Sequence, residues 1–217
     1  MNDEILITLF DGRGKNRWRY YPHRKVYSVL CDGGWSCFLN FEEIKNEVSK
    51  ILNKENPKKV LFVGICKHSN LALKICNSII NEYPNIKFGV LGAPWLIGCN
   101  LCKSPVSSNG VKLTPQLVYE SRIYPILRKI LQIDGDCRIQ FEEYNIKDIS
   151  LFSFYSFNDI WDLDYNTNKI LSPYFKKVYS NKCEIDDPFK THAHILDFIK
   201  NESAKTKIMI DEIFATI

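Results

Sequence analysis

VLFVGICKHSNLALKI, Val60 to Ile75, is the stretch on which the reading of the fold turns. Val60 to Gly64 is an apolar run closed by glycine, and a run without polar alternation has no solvent face, so it reads as a central strand. From Ser69 the pattern becomes helical, with Leu73, Cys76, Ile79, Ile80 and Tyr83 on one stripe that stops at Pro84. The chain must therefore turn within Ile65, Cys66, Lys67 and His68. A turn that tight lifts its central residue clear of the strand end, and the first free N–H groups of the helix face the same space. A thiol at Cys66 would stand in that positive field, which favours the thiolate, the nucleophilic form. The competing reading is a buried, inert thiol at a strand end.

Working outward, the elements alternate in type. Ile5 to Phe10 (ILITLF) ends at Asp11-Gly12, and Lys25 to Leu30 (KVYSVL) ends at Asp32-Gly33-Gly34, so both read as buried strands. Asn40 offers a helix N-cap with Glu43 as its reciprocal partner, and Phe41, Ile44, Val48 and Ile51 follow at helical spacing before Pro57. Ile86 to Leu91 (IKFGVL), Leu151 to Phe157 (LFSFYSF) and Lys176 to Tyr179 are further strands. A helix is expected over Pro115 to Leu131, kinked at Pro125, and two more from about His192. Five or six strands separated mainly by helices imply an α/β fold, a mainly parallel sheet with helices on both faces. Chemistry in such sheets gathers beyond the carboxyl ends of the strands.

Composition bounds the rest. At 217 residues, 45% hydrophobic, 25% charged and 13% aromatic, the chain has room for one domain spanning residues 1–217 and is too apolar to be disordered. No apolar run reaches the roughly 18 residues of a membrane helix, and Met1 to Phe10 lacks a leader pattern, so no membrane span and a cytoplasmic location are expected. The 29 basic against 25 acidic side chains leave a net charge of +4, too near balance to argue for nucleic acid. The eight cysteines, at 31, 37, 66, 76, 99, 102, 137 and 183, are read as free thiols rather than a secreted disulfide framework.

The strand, Gly64-Ile65-Cys66-Lys67-His68 and helix together resemble the G-x-S-x-G nucleophile elbow of the α/β-hydrolase superfamily, in a minimal version without its two earliest strands. Cys stands in place of Ser, as in the dienelactone hydrolase branch. The flavour is nearest to small bacterial hydrolase-like proteins associated with surface polysaccharide. One position departs from the pattern: the superfamily keeps a small residue two places after the nucleophile, where this chain has His68. Either the turn is looser, or His68 has joined the site as a substrate-binding residue, or the site has decayed.

The resemblance implies the chain order nucleophile, acid, histidine. Asp159, in Asn158-Asp159-Ile160-Trp161-Asp162 after the late strand, falls where the acid would, with Asp162 and Asp164 as fallbacks; a solvated acidic turn is the plainer reading. His192 and His194 lie in the loop that would supply the histidine, and His192, nearer the loop end, is preferred. Cys66 would attack an acyl carbon, the histidine would carry the proton, and Asp159 would fix the ring's tautomer. Backbone N–H groups of Lys67 and of Asp11-Gly12 would form the oxyanion hole.

The loop after the first strand, GRGKNRWRYYPHRK from Gly12 to Lys25, places Arg13, Arg17 and Arg19 beside Trp18. Guanidinium forks and aromatic faces suit an anionic acyl substrate such as a CoA thioester, a sugar nucleotide or a phosphorylated glycan; nucleic acid fits less well. A solvated basic loop is the alternative. The resulting expectation is an ester or thioester hydrolase or acyltransferase acting on a small-molecule or glycan substrate, with acyl-CoA as the co-substrate if one is used. No cofactor and no metal are required. A catalytically silent hydrolase-fold binding or accessory protein is the first alternative. The second is a redox or metal-binding protein through Cys99 and Cys102, a C-x-x-C lacking a partner pair nearby.

Overall fold

A computed structural model describes residues 3–11, 24–31, 41–65, 67–93, 146–156, 174–181 and 204–217. Its described strands are β1 (Glu4–Asp11), β2 (Lys25–Cys31), β3 (Lys59–Ile65), β4 (Lys87–Ala93), β5 (Ile149–Ser156) and β6 (Lys177–Asn181). The described helices are α1 (Phe41–Glu55), α2 (Lys67–Ile79) and α3 (Ala204–Thr216), and a short 3-10 turn over Ile146–Asp148 leads into β5. All strand pairs are parallel, in the order β2-β1-β3-β4-β5-β6. The sheet expected from the apolar runs is therefore present. From β1 the chain first steps to β2, then crosses back past β1 to β3 and continues in that direction. The reversal puts the topological switch point between the carboxyl ends of β1 and β3, and open α/β sheets commonly bind ligands at such a point.

Strand parity sorts the core into two layers, because alternate side chains point to opposite faces. On one face Ile5, Ile7 and Leu9 of β1, Val60 and Phe62 of β3, and Phe88 and Val90 of β4 pack with Ile44, Val48 and Leu52 of α1 and Leu71, Ile75 and Ile79 of α2. Phe62 and Phe88 stack there with ring centroids 6.3 Å apart. On the other face Leu6, Leu61, Val63, Leu91, Phe152 and Phe154 meet Met209, Ile210, Ile213, Phe214 and Ile217 of the α3 segment. Each of these fully buried large side chains contributes about 1.5–3 kcal/mol.

Helix α1 follows its sequence signals closely. Glu42 and Glu43 in its first turn and Lys54 in its last complement the helix dipole. It stops because Asn56 takes a left-handed φ of 44°, with its N–H donating to the Leu52 carbonyl at 2.8 Å, and Pro57 follows. Helix α2 differs from its periodicity: it begins at Lys67 rather than Ser69 and ends at Ile79 rather than near Pro84. The early start is set by the strand end packing on it, and the early end by turns over Ile80 to Glu82 ahead of Pro84, whose ring disfavours helix in the residue before it.

Polar contacts at the amino ends of the strands tie the layers together. Arg24 Nε donates to Glu4 at 2.8 Å, its guanidinium also pairs with Asp211 of α3, and it lies 4.4 Å from the centroid of the Phe214 ring. Lys59 Nζ donates to the Phe214 carbonyl at 2.6 Å, a cation on the last turn of α3. At the far side of the sheet Lys177 pairs with Glu212. Ile217 sits on Gly89, where an added Cβ would meet its Cδ1 at 2.4 Å. On the opposite layer buried Glu55 accepts from Lys25 Nζ at 2.7 Å and from the Tyr27 hydroxyl.

Candidate active site

The sheet register brings the carboxyl ends of β1, β3 and β4 to one edge. Leu9 of β1 pairs with Gly64 of β3, and Ile65 pairs with Ala93 of β4, so Asp11 and the turn after Ile65 leave the sheet at its carboxyl side. Cys66 lies between β3 and α2 and outside the described residues, but the backbone on either side of it is fixed. Strand β3 ends at Ile65 and α2 begins at Lys67, which leaves a single residue to make the turn.

The turn is as tight as the chain allows. A Cβ built on Gly64 would lie 2.2 Å from the His68 carbonyl oxygen, 2.4 Å from the His68 carbonyl carbon and 2.4 Å from the Ser69 nitrogen. Only glycine fits beneath the first turn of the helix. The fully buried Ser69 hydroxyl donates to the Gly64 carbonyl at 2.9 Å, joining strand end and helix start. Of the readings left open by His68, a looser turn is the one this geometry does not support. The crowding falls on Gly64 and the His68 backbone, and the His68 side chain is itself buried, 5% exposed.

The remaining candidates divide by where they fall. Asp11 is the last residue of β1, and Lys67 the first of α2, each placed by its backbone. Gly12, Arg13, Arg17, Trp18, Arg19, Asp159, His192 and His194 lie outside the described residues, as do Cys99 and Cys102, residues 115–131 and the chain from His192 to 203. Strand β5, from which Asp159 follows, ends at Ser156, and β6, which precedes the two histidines, ends at Asn181. Both end on the same side of the sheet as β3.

Two other thiols are placed. Cys76 is fully buried on the sheet-facing side of α2, and burial pushes its thiol well above the ordinary range, so it stays protonated and inert. Cys31 is buried at the end of β2. Among the described residues no group of three or more His, Cys, Asp or Glu side chains could hold a metal ion. Nor is any described helix long and apolar enough to cross a membrane. Sequence reasoning passed over Ser69 as a mere helix-start residue. Its type was visible, but the bond to a strand carbonyl five residues back depends on the tight turn.

No protein-family model matches the chain, and no curated protein matches it by sequence. Solved structures do. The type II thioesterase BorB from the borrelidin biosynthetic cluster matches 97% of this chain and 92% of its own at 13% identity, with a TM-score of 0.53. ClbQ from the colibactin NRPS/PKS pathway matches 95% of this chain and 99% of its own at 10% identity, with a TM-score of 0.52. AbyA5 matches all of this chain at 10% identity and a TM-score of 0.50, and the chain spans 66% of AbyA5's length.

The parallel sheet, its switch point and the helix that follows β3 define an open α/β protein. More narrowly, the chain has the α/β-hydrolase fold, the fold of thioesterases and related enzymes.

Proposed function

We propose that this protein is an ester or thioester acyl hydrolase or acyltransferase in which Cys66 is the nucleophile. The observation that carries the reading is the one-residue turn between Ile65 and Lys67, closed by the contact of Gly64 with the His68 backbone, on an α/β-hydrolase sheet. Such a turn aims its central side chain away from the sheet and turns the first free N–H groups of α2 toward the same space.

Asp159 is the acid and His192 the base, with His194 the neighbouring candidate. Strand β5 lies two strands from β3, roughly 10 Å at the usual interstrand spacing, and Asp159 follows Ser156 by three residues, a reach of about 10 Å. The Cys66 thiol gives its proton to the histidine as Sγ attacks the acyl carbon, and the leaving alcohol or thiol takes that proton as its bond to the acyl carbon breaks. Water or an acceptor hydroxyl then gives a proton back to the histidine as it attacks the acyl-enzyme, releasing the acid or the transferred ester and restoring the thiol. The adjacency of β1 and β3 supports an oxyanion hole from the backbone N–H groups of Lys67 and of Asp11-Gly12. Arg13, Arg17, Arg19 and Trp18, following directly from β1, would grip an anionic handle on the substrate, such as a CoA or a glycan phosphate, with His68 behind the turn. A surface-glycan setting, a cytoplasmic location and a single domain over residues 1–217 complete the reading.

The test is hydrolysis of aryl esters and short acyl-CoA thioesters by wild type, Cys66→Ala and Cys66→Ser. A loss of about a thousandfold or more in kcat/KM for Cys66→Ala is expected. Full activity in both variants overturns the assignment.

A further inference from the structure

We propose that Ser69 is a positioning residue for the turn that carries Cys66, its hydroxyl latching the first turn of α2 to the end of β3 and supplying the closure that a second small residue would otherwise give at position 68. The inference rests on the reading of Cys66 as nucleophile. Three observations converge on it. The Ser69 hydroxyl reaches out of its own helix to the Gly64 carbonyl at 2.9 Å, across the turn. A serine in the first turns of a helix ordinarily bonds within the helix or to water, and this one is fully buried. The Gly64 contact leaves no slack, since its Cα already lies against the His68 backbone.

A one-residue turn has few degrees of freedom. Once β3 is held in the sheet and the helix start is tied to Gly64, the two backbone segments that flank residue 66 are held relative to each other. A superfamily elbow limits that placement with small residues on both sides of the nucleophile. Here His68 occupies the second position with a buried side chain, and the Ser69 hydroxyl supplies a bond across the turn that the superfamily pattern does not require. Removing the hydroxyl removes this side-chain tie between the end of β3 and the first turn of α2 and leaves their separation to backbone packing.

The experiment compares wild type, Ser69→Ala and Ser69→Thr, the last retaining the hydroxyl. Hydrogen exchange over the peptide containing residues 64–70 reports the latch, and the pH dependence of iodoacetamide labelling at Cys66 reports positioning of the thiol. Ser69→Ala is expected to speed exchange in that peptide about fivefold to tenfold and to move the Cys66 labelling profile upward by about half to one pH unit, with the β1 and α1 peptides unchanged. Ser69→Thr is expected to stay near wild type; if its extra methyl disturbs the core, the alanine comparison decides alone. Unchanged exchange in Ser69→Ala overturns the proposal. Faster exchange with an unmoved labelling profile also overturns it, reducing Ser69 to a structural contact. Failure of the nucleophile reading is separate: it appears in wild type as an ordinary thiol profile at Cys66, before any substitution at Ser69.

Discussion

Gly64 and His68 touch backbone to backbone: the space where a Gly64 side chain would begin is filled by the His68 carbonyl, 2.2 Å from the ideal Cβ position. Neither partner can yield cheaply, because one belongs to a central strand and the other to a helix seated on it. Gly64→Ala is therefore expected to force strand and helix apart, costing about 1–3 kcal/mol in urea unfolding. Its activity loss should exceed what the stability loss explains when measured well below the unfolding midpoint. A Gly64→Ala variant with native stability and activity would show that the turn has room it does not display.

The cluster of Lys25, Tyr27 and Glu55 gives stability a pH dependence at both ends. The hydrogen bond from Lys25, then that from Tyr27, holds the Glu55 carboxyl below its ordinary value of 4.5. A depressed carboxylate contributes stability that is present above its unfolded pKa and lost as pH falls through the folded one, so the loss should develop below about pH 4.5. Burial, then the bond and charge of Glu55, raises the Tyr27 phenol from 10.0 to about 12. That contribution is full below pH 10.0 and fades as pH approaches 12. Glu55→Gln should abolish the acid limb that Glu55 contributes to the stability profile, measured by urea midpoint against pH, should only reduce the alkaline limb because burial of Tyr27 remains, and should cost about 1–2 kcal/mol at neutral pH.

Arg24 fastens α3 to the sheet through Glu4, Asp211 and the Phe214 ring together. Arg24→Ala should destabilise by about 2 kcal/mol and expose the C-terminal segment to limited proteolysis before the rest of the chain. Arg24→Lys should recover only part of this, because an ammonium cannot serve both carboxylates and the ring with one planar fork. Recovery to wild-type levels by lysine would mean that charge alone matters there.

Cys76 and Cys31 are buried, and burial raises the Cys76 thiol further from reactivity. Brief iodoacetamide treatment of the native protein at pH 8 should leave both unmodified, and the same treatment in denaturant should modify both. Labelling of native Cys76 at the rate of an exposed thiol would contradict its placement in the core.

Much of this was legible in the sequence for local reasons. The apolar runs at Ile5, Val60, Ile86 and Leu151 became buried strands because an unbroken apolar stretch is stable only where both faces are covered. Lys25 to Leu30, expected as buried, instead became β2 at the edge of the described sheet, where Val29 and Cys31 are buried but Lys25 and Leu30 are exposed, because it has a strand neighbour on one side alone. Helix α1 showed its stop in Pro57 and its buried face in Ile44 and Val48, and Cys76 was recognisable as helix-face core. The acid and histidine candidates were legible only through chain order after the late strands. Asp159, His192 and His194 lie outside the described residues, and chain order alone carries their assignment.

The sequence by itself determined the six described strands and the helices α1 and α2 that follow β2 and β3, and that Cys66 stands between the third strand and the helix after it. It determined this because burial periodicity and turn chemistry are properties of short windows. Only the tertiary structure decided the order in which strands pair, and hence that β1 and β3 share the switch point, since crossovers are chosen by long-range packing. It also removed one of the readings of His68, the looser turn. A large residue in a tight elbow looked like a reason for the turn to open; the close approach of Gly64 to the helix backbone and the Ser69 bond keep it shut.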